Sequence, residues 1–298
     1  MEKSDKKLWL VYAIVAMIFW GVWGAFTGLP AENGFPDTLI YCVWAVTMIF
    51  PALFVLGRSG WKIEKDKRSI FYGLVIGFLG AGGQMILFYA VTIGPTYLIF
   101  PIISLSPIVT IAFSMALLKE RTGLLGGIGI VLALLSLPLF EYSGENDASA
   151  GEGMQDSLWF ILAILVLVAW GVQAYFMKLA NNAMGAESIF FYMTLTGLLL
   201  IPVALWMTDF SQDINWGANG PYLAAIIQVL NAIGALCLVY AFRYGKAIMV
   251  SPLTNAGAPL MTSVISLLFL GVMPGPFKIA GIFLALIAAF LLARSSEN

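Results

Sequence analysis

The side chains able to do chemistry in this 298-residue chain are few and mostly uncharged. It has no histidine. That removes histidine-built zinc sites, Ser-His-Asp triads and imidazole proton shuttles. Cys42 and Cys237 each sit in an apolar run, with no CxxC spacing, and read as reduced, packed thiols. What remains inside the apolar runs is a set of indoles, amides and hydroxyls: Trp20, Trp23, Gln84, Ser104, Trp170, Gln173, Gln228, Asn231, Thr254 and Asn255. Such groups break no bonds unaided, because a lone hydroxyl nucleophile needs an activating partner. They can hold a solute. An indole offers a broad face and one N–H donor, which suits a sugar ring, a nucleobase or an aromatic amino acid. An amide in hydrocarbon must hydrogen-bond to something. The alternative use of the same groups is packing, where an interhelical polar contact is worth ~0.6 kcal/mol on average.

The elements that must position them are apolar segments of membrane-crossing length, ~20 residues each. Ten are found, at approximately 8–29, 38–57, 70–92, 95–118, 122–140, 157–178, 188–208, 221–242, 247–271 and 277–293. Hydrophobic residues make up 61% of the chain, charged residues 10%, and the mean hydropathy is +0.94. A soluble domain carries roughly 25% charged residues. The expected fold class is therefore all-α and integral to a membrane. Lys3, Lys6 and Lys7 precede the first run, which is longer than the ~7–15-residue core of a signal peptide and reads as a retained helix. With a net charge of −1, nucleic acid is not an expected partner. A small solute and the bilayer are, for a monomer or homodimer. No cofactor or metal is expected.

Ten crossings sort the charges. With both termini in the cytoplasm, the inner segments hold fourteen of the fifteen basic residues, leaving only Lys278 outside. Segment 141–156 carries five acids and no base, and falls outside. This satisfies the positive-inside rule and predicts a multi-pass protein of a cytoplasmic (inner) membrane. A missed or extra helix would invert the second half and spoil the sorting.

The chain also repeats. Residues 78–101 align without gaps on 229–252, with Leu79/Leu230, Gly83/Gly234, Tyr89/Tyr240, Gly94/Gly245 and Pro101/Pro252 matching at an offset of 151. Trp20-Gly21-Val22 matches Trp170-Gly171-Val172 at 150, and Gly129-Ile130 matches Gly281-Ile282 at 152. Five helices per half make this an inverted repeat: 1–140, an acidic external loop at 141–156, then 157–298. Inverted repeats are a frequent plan for secondary transporters, with the site near the midplane. Paired prolines in the fourth and ninth runs (Pro101 and Pro107, Pro252 and Pro259) predict broken or kinked helices facing a solute, or static kinks. Tyr89 and Tyr240 are symmetry mates suited to gating, expected in the cytoplasmic and external thirds respectively. Gly73, Gly77, Gly80 and Gly83 read as packing contacts. No Asp, Glu, Lys or Arg falls mid-run, so no midplane carboxylate is expected to carry protons.

Residues 88–134 bring Tyr-Ala, a short turn, a proline-bearing helix, Glu120-Arg121 and a glycine-rich helix together in that order. The second half keeps Tyr240-Ala241, Pro252, Pro259 and a glycine-rich last helix, but has Val272 and Met273 in place of Glu-Arg. On these residues the chain resembles, over its whole length, ten-helix members of the drug/metabolite transporter superfamily with two EamA-type repeats. The resemblance implies a secondary transporter rather than an enzyme, with a central cavity walled by helices 1, 3, 4, 6, 8 and 9. The missing second Glu-Arg points to Glu120 as a structural cap or ion pair. The expected cargo is a small neutral or zwitterionic metabolite, an amino acid or relative, moved outward. The alternative is uptake of a sugar or a nucleobase- or ureide-like solute.

Overall fold

The computed structural model describes residues 5–93, 99, 102–141, 158–270 and 275–295. Among the described residues ten apolar helices follow one another: α1 (Asp5–Phe26), α2 (Asp37–Arg58), α3 (Lys67–Ile93), α4 (Ser106–Ala116), α5 (Leu124–Glu141), α6 (Leu158–Asn181), α7 (Ala186–Met207), α8 (Ala218–Tyr244), α9 (Ala247–Leu270) and α10 (Pro276–Ser295). Among the described residues, eight are long and apolar enough to cross a membrane, while α4 and α5 are shorter. A helix satisfies its own backbone, which hydrocarbon requires. Hydropathy alone therefore places the described ends within three residues of expectation, except the start of α4, which follows a turn at Leu105 and helical residues 102–104. The acidic segment 142–156 also lies outside it.

The fourth run is broken at Leu105, between helical residues 102–104 and α4, and Pro107 sits in the first turn after the break, where a missing N–H costs nothing. Pro101 lies outside the described residues. The expected break is absent from the ninth run, where α9 runs unbroken through Pro252 and Pro259. Two further breaks fall in α2 at Met48 and in α7 at Leu200. Pro51 and Pro202, 151 residues apart, stand just after them and deprive Thr47 and Leu198 of their helical donors.

The two halves interlock. α1 packs on α8 and α9, and its mate α6 packs on α3 and α4. α5 pairs with α10. The glycines allow these approaches. A Cβ on Gly83 would stand 2.6 Å from Trp170 Nε1, and one on its mate Gly234 would stand 2.5 Å from Trp20 Cδ1. Gly73 and Gly77 likewise abut Tyr192 and Thr196 of α7.

The connections show the inversion. At one end the Asn215 N–H donates to Gly34 O at 3.0 Å, and Asn215 Nδ2 to Asn33 O at 2.9 Å. At the other end the Gly185 N–H donates to Glu64 Oε1 at 3.1 Å. Gly34/Gly185 and Glu64/Asn215 are both 151 apart. Equivalent positions thus meet once at each end of the bundle, with donor and acceptor exchanged. The Glu64 end is rich in bases: the Lys178 Nζ donates to Phe242 O at 2.9 Å, Arg243 to Met184 O at 3.2 Å, and Lys246 to Arg121 O at 2.7 Å. Here Glu120 accepts the Ile248 N–H at 3.1 Å and caps the start of α9.

Candidate functional site

A cavity of about 380 Å³ lies between the repeats, with Gly77, Gly80 and Ala81 of α3 and Ala235 of α8 in its lining. Nine of the ten candidate residues line it: Trp20, Trp23, Gln84, Trp170, Gln173, Gln228, Asn231, Thr254 and Asn255. They come from α1, α3, α6, α8 and α9. Ser104 does not line it; Ser106, at the start of α4, does. The two residues differ by about 200° around a helix, so a short misplacement of the helix start changes the face.

The indoles reach across the repeat boundary in a two-fold pattern. Trp20 Nε1 donates to Asn231 O at 3.3 Å and to Asn231 Oδ1 at 3.0 Å. Its mate Trp170 donates to Gly80 O at 3.2 Å, and Gly80 corresponds to Asn231 at an offset of 151. Trp23 Nε1 donates to Gln228 Oε1 at 3.2 Å, which also accepts from Asn231 Nδ2 at 3.3 Å. Gln228 and Asn231 are therefore part of the frame as well as the wall. Asn255 Nδ2 and Thr254 Oγ1 bond within α9, to Ser251 O and Val250 O. Gln84 and Gln173 face the cavity with no hydrogen bond to another described residue. Trp44 Nε1, in the α2 wall, is buried without an acceptor among the described residues.

Toward the basic end the lining closes on Met177 and Phe242, both about 1% exposed. At the same end Tyr240 stacks on Tyr12 with ring centroids 5.0 Å apart, Tyr12 stacks on Tyr244 at 5.8 Å, and the Tyr240 hydroxyl donates to Glu187 at 2.6 Å. Tyr240 thus stands at the basic end rather than in the opposite third, and Tyr89 is 48% exposed on α3 near the other end. This reverses the expected placement of the pair. It follows from chain direction, since α8 runs toward the bases and α3 away from them. At the far end the lining reaches Thr27 and Asp37. Asp37 was not a candidate. It stands one residue before the expected apolar run, where an acid reads as loop, yet its carboxylate belongs to the wall.

A bundle of apolar helices in two repeats, enclosing a polar-spotted cavity at their interface, is the architecture of a membrane transporter of small solutes. The chain belongs to the EamA-like transporter family, whose model matches residues 7–140 and 157–294. It is similar to protein LicB of Haemophilus influenzae, 23% identical over 261 residues, covering 80% of this chain and 81% of that one. It is also similar to an uncharacterized protein of Methanocaldococcus jannaschii, MJ1333.1, 26% identical over 134 residues. That match covers 96% of the archaeal protein and 45% of this chain, the length of a single repeat. A solved crystal structure superposes with a TM-score of 0.78 over 99% of both chains at 15% identity, which speaks for the fold alone.

Proposed function

We propose that this protein is a secondary transporter that moves a small neutral or zwitterionic metabolite, an amino acid or a close relative, by alternating access. The observation that carries the reading is the two-fold frame around the cavity. Trp20 binds Asn231 O of the second repeat, and Trp170 binds Gly80 O of the first. A rocking of one repeat against the other can then expose one cavity to either side. The structure has the shape of one such state, with Tyr12, Tyr240 and Phe242 packed beneath the cavity at the basic end. On the positive-inside rule that end and both termini face the cytoplasm. Among the described residues the deep lining has no carboxylate to load with a proton, which supports a solute running down its own gradient, outward for a compound made inside the cell. Uptake of a sugar or nucleobase-like solute is the second reading, favoured by the indole faces of Trp20, Trp23 and Trp170.

The test is reconstitution. Proteoliposomes are challenged with labelled amino acids, sugars and nucleobases, with and without a pH gradient. Saturable amino-acid flux indifferent to the gradient is expected. Absence of flux for every class would overturn the transporter reading, and flux that follows the proton gradient would overturn the uncoupled one.

A further inference from the structure

Among the described residues, Asp37 is the only carboxylate that lines the cavity, and no Lys or Arg joins it. It begins α2, and Ile40, Tyr41, Trp44 and Met48 of the same helix line the same space. That spacing (i, i+3, i+4, i+7, i+11) is one helical stripe. The carboxylate therefore stands above Tyr41 by one turn and above Trp44 by two, about 10 Å along the axis at ~1.5 Å per residue. The Tyr41 and Trp44 rings lie 5.3 Å apart, and Phe88 meets Tyr41 edge-on at 6.4 Å. With Trp20 and Trp23 opposite, a carboxylate heads an aromatic-walled space.

Asp37 is exposed, and among the described residues its carboxylate has no hydrogen-bond or ion-pair partner. Glu187, the first-turn acid of α7, is by contrast taken by the Tyr240 hydroxyl at 2.6 Å. A first-turn acid is favoured by the helix dipole alone. That accounts for an acid at both positions. It does not account for one of them opening onto a cavity lined by ring faces, which themselves attract cations.

We propose that Asp37 binds the ammonium group of the solute, so that the cavity takes amines and zwitterionic amino acids and refuses anions. The proposal rests on the cavity being the transport site and names the charge its cargo must carry. The ammonium would meet the carboxylate at the upper end, with the ring faces packing its apolar body. The Gln84 amide offers a donor to the carboxylate of an amino acid.

The test uses matched solutes on the purified full-length protein, read by quenching of tryptophan fluorescence: leucine, 3-methylbutylamine, N-acetyl-leucine and glucose, and the same series built on phenylalanine. The amines and amino acids are expected to bind, and their N-acetyl anions to bind at least ~10-fold more weakly, the scale of one charged hydrogen bond. Asp37→Asn should erase that discrimination and Asp37→Glu should keep most of it. Equal binding of anions and amines overturns the proposal, as does failure of every amine and amino acid to bind, or an Asp37→Asn protein that discriminates like the native one. The comparison within the unaltered protein holds whether or not the variants fold. Discriminating binding without flux in proteoliposomes would instead sink the transport reading and leave the ammonium site standing.

Discussion

Trp20 and Asn231 are joined twice, the indole N–H lying 3.0 Å from the side-chain oxygen and 3.3 Å from the backbone oxygen. The side chain of Asn231 is thus both wall and fastening between the repeats. Gln84 shares the cavity but fastens nothing among the described residues. The two amides separate binding from packing. Asn231→Leu should lower the unfolding midpoint, by about 1 kcal/mol for one hydrogen bond, and lower flux as well. Gln84→Leu should leave stability within ~0.5 kcal/mol and still cut flux several-fold. Thermal unfolding in detergent, paired with proteoliposome flux, checks both. Loss of stability in both variants with flux per folded molecule unchanged would make the amides packing contacts only.

The two-fold relation makes a second expectation at the glycines beneath the indoles. Gly83→Ala would press a methyl against Trp170, and Gly234→Ala would press one against Trp20, at 2.6 and 2.5 Å. Each should cost about 1–3 kcal/mol, the usual penalty for overpacking, and the two costs should be alike. Gly82 has nothing within 4 Å of its added Cβ, so Gly82→Ala is the control and should not destabilise. Unfolding midpoints of the three variants decide it. Unequal costs at 83 and 234 would show that the indoles are not held equivalently.

Nine of the ten lining candidates could be found because a polar side chain inside an apolar run has few places to go, and a helical bundle turns it inward. Helix ends were legible for a related reason: the length of an apolar run maps directly onto the thickness to be crossed. Asp37 escaped because charge was used to mark where helices stop. Breaks are expected at the paired prolines beside polar residues; one occurs before Pro107, none occurs in α9, and two more occur at Met48 and Leu200. The pairing of Pro51 with Pro202 at an offset of 151 held that signal. No polar neighbour drew attention to it. The hydrogen bonds between Trp20 and Asn231, or between Gly185 and Glu64, join residues more than 100 apart, and no local pattern announces them.

The two mirrored latches should respond differently to acid. Burial pushes the Glu64 carboxyl up, but the Ser188 hydroxyl, the Gly185 N–H and the nearby Arg243 guanidinium outweigh it and hold the group below the ordinary carboxylate range. A folded-state pKa below the unfolded one gives stability that is complete above the unfolded value and is lost as pH falls through the folded one. Asn215, in the equivalent place at the other end, does not titrate. Scanning the unfolding midpoint downward from pH 6, the native protein should lose ground relative to Glu64→Gln below about pH 4, where free Glu titrates. Asn215→Leu should destabilise by the same amount at every pH in that range. Parallel pH profiles for the native and Glu64→Gln proteins would mean that the Glu64 latch carries no charge-dependent strength.

The seal at the basic end can be probed with a thiol already in place. Cys237 is buried on α8, one turn before Tyr240, and is unpaired. Tyr240 holds that end through its hydroxyl on Glu187 and its ring on Tyr12, at 2.6 Å and 5.0 Å. Tyr240→Phe removes the first tie and keeps the second, so the core packing survives while the bond between α8 and α7 is lost. In a Cys42→Ala background, where Cys237 is the one thiol, a membrane-permeant maleimide should label the Tyr240→Phe protein several-fold faster than its parent. Stability should fall by only about 1.5 kcal/mol, the lower end for a hydrogen bond to a charged group. Faster labelling at nearly constant stability would report an end that opens more often, as one gate of an alternating pair must. Unchanged labelling would show that the hydroxyl plays no part in keeping the basic end shut and would leave the aromatic stack of Tyr12, Tyr240 and Tyr244 to do so.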